Sequence, residues 1–317
     1  MSGFRRVDGG MVTGRFTDHH VHLQLVDHAL LAGSRLGRVI DLGGNPEWVS
    51  RLSRGGRMEN AGADTSRAAL SIQADAPRME NVGAEGPEPA FSIPADVAVE
   101  YAGAFLTAPG GYPSDRTWAP AGSVREIANA GAAASAVAEL AALGASCIKV
   151  VAHSEAGPVL GDDSFRAVVA AAKSRGLPVV AHAEGSGQAQ RAARLGAGRL
   201  AHAPFTERLT DGEIAEQAAS VEWISTLAIH DDAHRTIAID NVRRFADAGG
   251  TVLYGTDMGN GPTPVDLNRR ELDALREAGI DGIRLLRALA PRVDDPHPLF
   301  LPDGDPAAAQ PLTHLEA

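Results

Sequence analysis

The run Thr17-Asp18-His19-His20-Val21-His22-Leu23 decides how the rest of the chain is read. Successive side chains of a β-strand alternate between its faces, so Asp18, His20 and His22, spaced two apart, are predicted to share one face. Two imidazoles on one face of a strand can converge on a single metal ion. A His-x-His by itself is an unspecific signal. Its weight here comes from residues further along that answer it, each at the end of an apolar run. His19 has the opposite parity and is expected to pack away from the metal.

Working outward, the opening strand (residues 14–23) is followed by an amphipathic stretch (26–36) and a β-rich run stopped by glycines (37–44). Asn45-Pro46 then reads as a helix start. Further strands are predicted at 99–107, 145–152, 177–183, 199–202, 221–228 and 251–255. Helices fall at 123–143, 162–175, 186–195, 211–219, 233–248 and 265–290, and Ser123 and Glu126 are spaced as a capping box for the first of these. Eight strands alternating with helices match a closed (β/α)8 TIM barrel, and residues 1–291 are assigned to it. Residues 51–98 interrupt the alternation with Gly, Ala, Pro, Asp and Glu. They read as a long insert or lid between the second and third strands. Residues 292–317 read as an irregular C-terminal tail.

With 317 residues, 44% apolar and 22% charged, the composition is that of a globular protein large enough for one substantial core. A net charge of -11 argues against a polyphosphate-binding surface, so nucleic acid is not expected as a partner. Cys147 is the single cysteine, which rules out an intrachain disulfide. No apolar run approaches membrane-spanning length, and residues 1–14 lack the apolar segment of a secretory signal. The expectation is a cytoplasmic protein without a membrane partner.

Active sites of such barrels lie at the C-terminal ends of the strands. Apolar runs there lead into His182, His202 and Asp257. Lys149 sits mid-strand in Cys147-Ile148-Lys149-Val150-Val151, and it and Lys173 are the two lysines among 29 basic residues. An ammonium there is costly to bury, and burial lowers a lysine pKa toward the nucleophilic neutral amine. Neutral amine and carbon dioxide give a carbamate, whose two oxygens can bridge two metal ions. Other polar residues at strand exits, Tyr112, His153, Glu184 and His230, are candidates for substrate contact. Cys147 shares the face of Lys149 but lies deeper, and reads as core filler.

Over residues 14–291 these features resemble the metal-dependent amidohydrolase superfamily. The likeness is to members with a binuclear site and a carboxylated lysine, similar to the prolidase-like and imidazolonepropionase-related branch. The resemblance rests on Asp18-His19-His20-Val21-His22, Lys149, His182, His202 and Asp257, on five separate strands in the family's order. It implies that His20, His22 and Asp257 hold one divalent ion, that His182 and His202 hold the other, and that carboxylated Lys149 bridges them. Zinc suits this ligand set, with manganese, cobalt or nickel as alternatives. One departure is expected: many relatives carry a flanking β-sandwich made from both chain ends, and a full one is not expected here.

The implied chemistry is hydrolysis of an amide, whether a peptide bond, a cyclic amide or imide, or an amide of a specialised metabolite. A hydroxide bridging the ions would attack, and Asp257 would pass the proton to the leaving nitrogen. Lactone or phosphoester hydrolysis at the same site is the alternative within enzymes. A catalytically inactive metal-binding partner protein is the alternative outside them. The substrate would be a small molecule or a peptide, and a homo-oligomer is compatible with the sequence.

Overall fold

The computed structural model describes residues 3–55 and 96–312, so most of the 51–98 insert lies outside the described residues. Strands β1 (Phe4–Val7) and β2 (Gly10–Thr13) form an antiparallel hairpin. The parallel part of the fold then begins with β3 (Phe16–Val21), β4 (Leu36–Asp41) and helix α1 (Pro46–Ser53). Strands β5 (Ala98–Tyr101), β6 (Phe105–Thr107) and β7 (Val124–Glu126) precede helix α2 (Ala130–Leu143). Alternation is regular from there: β8 (Ile148–His153), α3 (Asp162–Lys173), β9 (Val179–Glu184), α4 (Gln188–Arg194), β10 (Arg199–Leu200) and α5 (Asp211–Ala218). Then come β11 (Glu222–Ile224), α6 (Asp232–Asp247), β12 (Thr251–Leu253), α7 (Arg269–Glu277) and α8 (Gly282–Ala288). The chain closes with β13 (Leu299–Pro302) and β14 (Gln310–Pro311).

The parallel strands form a seven-stranded sheet, β12-β11-β10-β9-β8-β6-β7, and a three-stranded sheet, β3-β4-β5. They do not run on as one closed eight-stranded ladder. At one seam single backbone bonds join the two sheets: His19 N donates to Tyr254 O (3.0 Å), His22 N to Met258 O (2.7 Å) and Met258 N to His20 O (3.3 Å). At the other, Ser146 N donates to Tyr101 O (2.8 Å). Regular pairing fails at both seams because the backbone leaves strand geometry there. Gly103, between β5 and β6, has φ +76, and Asp257, beyond β12, has φ +53.

An inner apolar layer is drawn from consecutive parallel segments: Ile40, Leu42, Ala102, Cys147, Val180, Ala201, Ile224 and Leu253. A larger core between strands and helices includes Phe16, Leu106, Val168, Trp223 and Phe245. Cys147 takes its place in the inner layer, where burial pushes its thiol up to about 12 and makes it a poor nucleophile.

Three local expectations give way to tertiary pairing. Residues 123–129 do not start a helix, because Phe105 N donates to Ser123 O and Ile127 N to Thr107 O, drawing that backbone into β7. Asn129 instead caps α2, its side chain accepting from Ala132 N at 3.0 Å. The 265–290 region divides into α7 and α8 around Gly279, at φ +80. Finally, the tail is not irregular throughout. Leu299 and Leu301 alternate with less buried neighbours, and β13 pairs with β2, giving a four-stranded antiparallel sheet made from both chain ends. A four-residue run ending at Pro302 is too short for its period of two to show in sequence.

Candidate metal centre

Strand β3 and the residue just past its end deliver two of the site's imidazoles, and backbone neighbours fix their orientation. His20 Nδ1 lies 2.8 Å from Ala201 O, and His22 Nδ1 lies 2.9 Å from Gly43 O. A carbonyl only accepts, so each Nδ1 carries a hydrogen and each Nε2 faces inward. Both Nε2 atoms converge on one oxygen, Asp257 Oδ1, at 3.1 and 3.2 Å. Gly43 is required by close approach, since a Cβ there would lie 2.0 Å from the Phe105 ring.

His202, which follows β10, joins this group. Its Nδ1 is 2.9 Å from Thr226 Oγ1, and Thr226 is itself held at φ +44. One ligand atom each of His20, His202 and Asp257 falls within 4.8 Å of the others, and all three residues are buried. His20 Nε2 and Asp257 Oδ1 are buried with no hydrogen-bond partner among the described residues. A neutral imidazole lone pair facing a carboxylate oxygen is costly to bury unless a cation sits between them. The donor set therefore fits a divalent metal ion.

Electrostatics agree with that arrangement. Burial holds His20 and His202 well below the usual imidazole range. Burial also pushes the Asp257 carboxyl up, but His20 and His22 beside it outweigh this and keep it ionised well below the usual carboxylate range. For His22 the Asp257 carboxylate, 3.2 Å away, outweighs burial and raises the pKa. A proton on its Nε2 and a metal ion are alternative occupants of one lone pair. Asn260 Nδ2 donates to Asp257 Oδ2 at 2.9 Å and fixes the carboxylate.

Lys149 and His182 line the same cavity without belonging to the three-residue cluster. Lys149 is 1% exposed, and burial pulls its ammonium down to about 8. His182 sits 4.8 Å ring to ring from His202, and its Nε2 is turned to Glu184 Oε2 at 3.0 Å. That same Oε2 is 3.4 Å from His153 Nε2. Tyr112 stacks on His182 at 5.8 Å and meets His153 edge-on at 5.0 Å. His230 stacks on Phe205 at 4.1 Å. The structure thus gathers His20, His22, Tyr112, Lys149, His182, Glu184, His202, His230 and Asp257 around one cavity of about 460 Å³, whereas His153 stays behind its wall, against Glu184 and Tyr112.

Asp18 departs from the shared-face expectation. A register shift follows it in the β3–β4 ladder, and its carboxylate accepts from Thr256 Oγ1 (2.6 Å), Thr256 N (3.1 Å) and His20 N (3.0 Å). It ties β3 to the segment that carries Asp257. The sequence reading missed Phe105, Trp118, Phe205 and Asn260 in the cavity wall. The Gly259-Asn260-Gly261 turn next to Asp257 was the one readable signal for Asn260.

His19 stays off the cavity, as its parity predicts, with Nδ1 3.0 Å from Tyr254 O, and burial lowers its pKa from 6.5 to about 3. The unfolded chain therefore binds the extra proton first. The stability His19 contributes is present above pH 6.5 and is lost as pH falls through the window down to about 3. Denaturant unfolding at pH 7, 5.5 and 4 is expected to show stability decreasing toward acid, with a shallower decrease in His19→Gln. Identical slopes in the two proteins would contradict this.

No protein family matches the sequence, and no curated protein matches it. Solved structures do match in fold. A Xaa-Pro dipeptidase with bound methionine in the active site superposes with a TM-score of 0.64 and 16% identity, over 93% of this chain and 81% of that one. The A. niger ochratoxinase gives 0.66 and 15% identity, over 94% and 81%. Phenylurea hydrolase B gives 0.61 and 15% identity, over 93% and 80%. At such identities the likeness establishes a shared α/β fold.

Proposed function

We propose that this chain is a metal-dependent hydrolase of carbon–nitrogen bonds, acting on an amide of a small molecule or peptide. The observation that carries the reading is the convergence of the His20 and His22 Nε2 atoms on Asp257 Oδ1, with His202 beside them. A Xaa-Pro dipeptidase, an ochratoxinase and a phenylurea hydrolase among the fold's solved examples support it. We read the two parallel sheets as one (β/α)8 barrel, an assignment supported by the inner layer that successive strands share.

In this reading His20, His22 and Asp257 would hold one divalent ion, His182 and His202 would hold a second, and Lys149, carboxylated, would supply a further anionic ligand. Zinc fits these donors, and manganese, cobalt or nickel would also bind. When bound, the ions lower the proton affinity of a water molecule and polarise the scissile carbonyl. Asp257 would accept a proton from the attacking water and pass it to the leaving nitrogen. Asn260 keeps its carboxylate in place for both transfers. Tyr112, Glu184 and His230, which line the cavity, would receive the substrate, with His153 behind them against Glu184.

The test is elemental analysis of protein purified without chelator, together with turnover on p-nitroanilide, lactone and phosphotriester panels. Metal content approaching two ions per chain with amide turnover is expected. A chain that takes up no metal after reconstitution with zinc and bicarbonate, or a metal-loaded one that cleaves only lactones or phosphotriesters, overturns the proposal.

A further inference from the structure

The cavity wall carries aromatic rings that neither the metal ligands nor the proton transfer need. Phe105, Tyr112 and Trp118 form one group: Phe105 meets Trp118 edge-on at 6.1 Å, and Tyr112 lies 6.0 Å from the same indole. Phe205 and His230 form a second, stacked at 4.1 Å. The two groups flank the His182–His202 pair, Tyr112 standing 5.8 Å from the His182 ring and Phe205 6.1 Å from the His202 ring. Phe105 also lies 5.7 Å from the His22 ring. Each wall is therefore one ring spacing from the imidazoles of the centre.

Aromatic rings favour edge-to-face and offset-stacked partners at centroid separations of about 4.5–7 Å. The wall rings already meet one another at such angles, and Tyr112 and Trp118 are only half-buried; Arg116 lies 5.5 Å over the Tyr112 ring, so Trp118 carries more of the ring surface that faces the cavity. A cavity of about 460 Å³ holds a phenyl-sized group together with an amide.

We propose that this site selects amides bearing an aryl ring within one or two bonds of the scissile group, held against Trp118 and Tyr112. The proposal rests on the hydrolase reading for the identity of the reacting bond. The recognition of the ring does not depend on it. Selection follows from shape and quadrupole: a planar ring completes the edge-to-face cluster, whereas a saturated ring of the same carbon count gains contact area without the directional term.

Ligand-observed NMR titration of the protein as purified, with N-benzylacetamide and N-(cyclohexylmethyl)acetamide, tests this without requiring turnover. The aryl compound is expected to bind roughly three- to tenfold more tightly. Trp118→Leu should abolish that preference while leaving the cyclohexyl affinity within about twofold, and Trp118→Phe should restore most of it. Equal affinities in the wild type, or a preference that survives both Trp118→Leu and Tyr112→Leu, overturn the proposal. Hydrolysis is followed alongside. Aryl-selective binding with no turnover of any amide sinks the hydrolase reading and leaves the ring site standing, and turnover without aryl preference does the reverse.

Discussion

Replacing Lys149 with methionine is expected to lower hydrolytic activity by at least about a hundredfold, the scale on which loss of even an outer metal-site partner acts. The ammonium is buried beside Asp257, and burial has already brought it down to about 8, so the neutral amine that forms a carbamate is accessible near neutral pH. Removing it takes away the anion proposed to lie between two dications, which then repel across the site. Acetate or propionate should restore part of the activity by entering the vacated space. Lys149→Arg should not, because a guanidinium stays protonated. Near-normal activity and metal content in Lys149→Met would make the lysine structural and end the binuclear assignment.

The second large effect is expected at Asp257. Asp257→Asn keeps the shape, and asparagine tolerates the left-handed φ of +53 that alanine would not. The variant therefore isolates charge and proton acceptance from folding. Loss of a general acid–base group typically costs about 10²–10⁴-fold, and that loss should appear in kcat with KM little changed. Metal affinity should fall as well, since the oxygen facing both the His20 and His22 Nε2 atoms loses its charge. A kcat within about threefold of wild type would remove Asp257 from the chemistry.

The alternation of strands and helices was legible because short, mostly apolar runs ended in polar residues, as in Leu177–Ala181 before His182 and Leu253–Thr256 before Asp257. The polar side of the cavity was legible for the same reason. His20, His22, Lys149, His182, His202 and Asp257 each stand at or beside a strand, where parity and position decide which way a side chain points. His19, one residue out of phase, was correctly set apart by parity alone.

What lay beyond the sequence depended on partners distant in the chain. The capping-box spacing of Ser123 and Glu126 is a local signal, and β6 overrode it by taking the backbone of residues 123–127 into a strand. Asp18 has the parity of a ligand, yet Thr256, 238 residues away, claims its carboxylate. Leu299 and Leu301 become a strand only because β2 offers an edge. Trp118 and Phe205 reach the cavity from loops that carry no periodic pattern, and Phe105 from the first position of the three-residue β6. Strand identity and the facing of His20 and His22 follow from alternation within a few residues, so the sequence by itself determined them. Which hydrogen-bond acceptor holds each imidazole, where the sheet seams fall and which rings line the cavity are settled by contacts between remote segments, and only the tertiary structure could decide them.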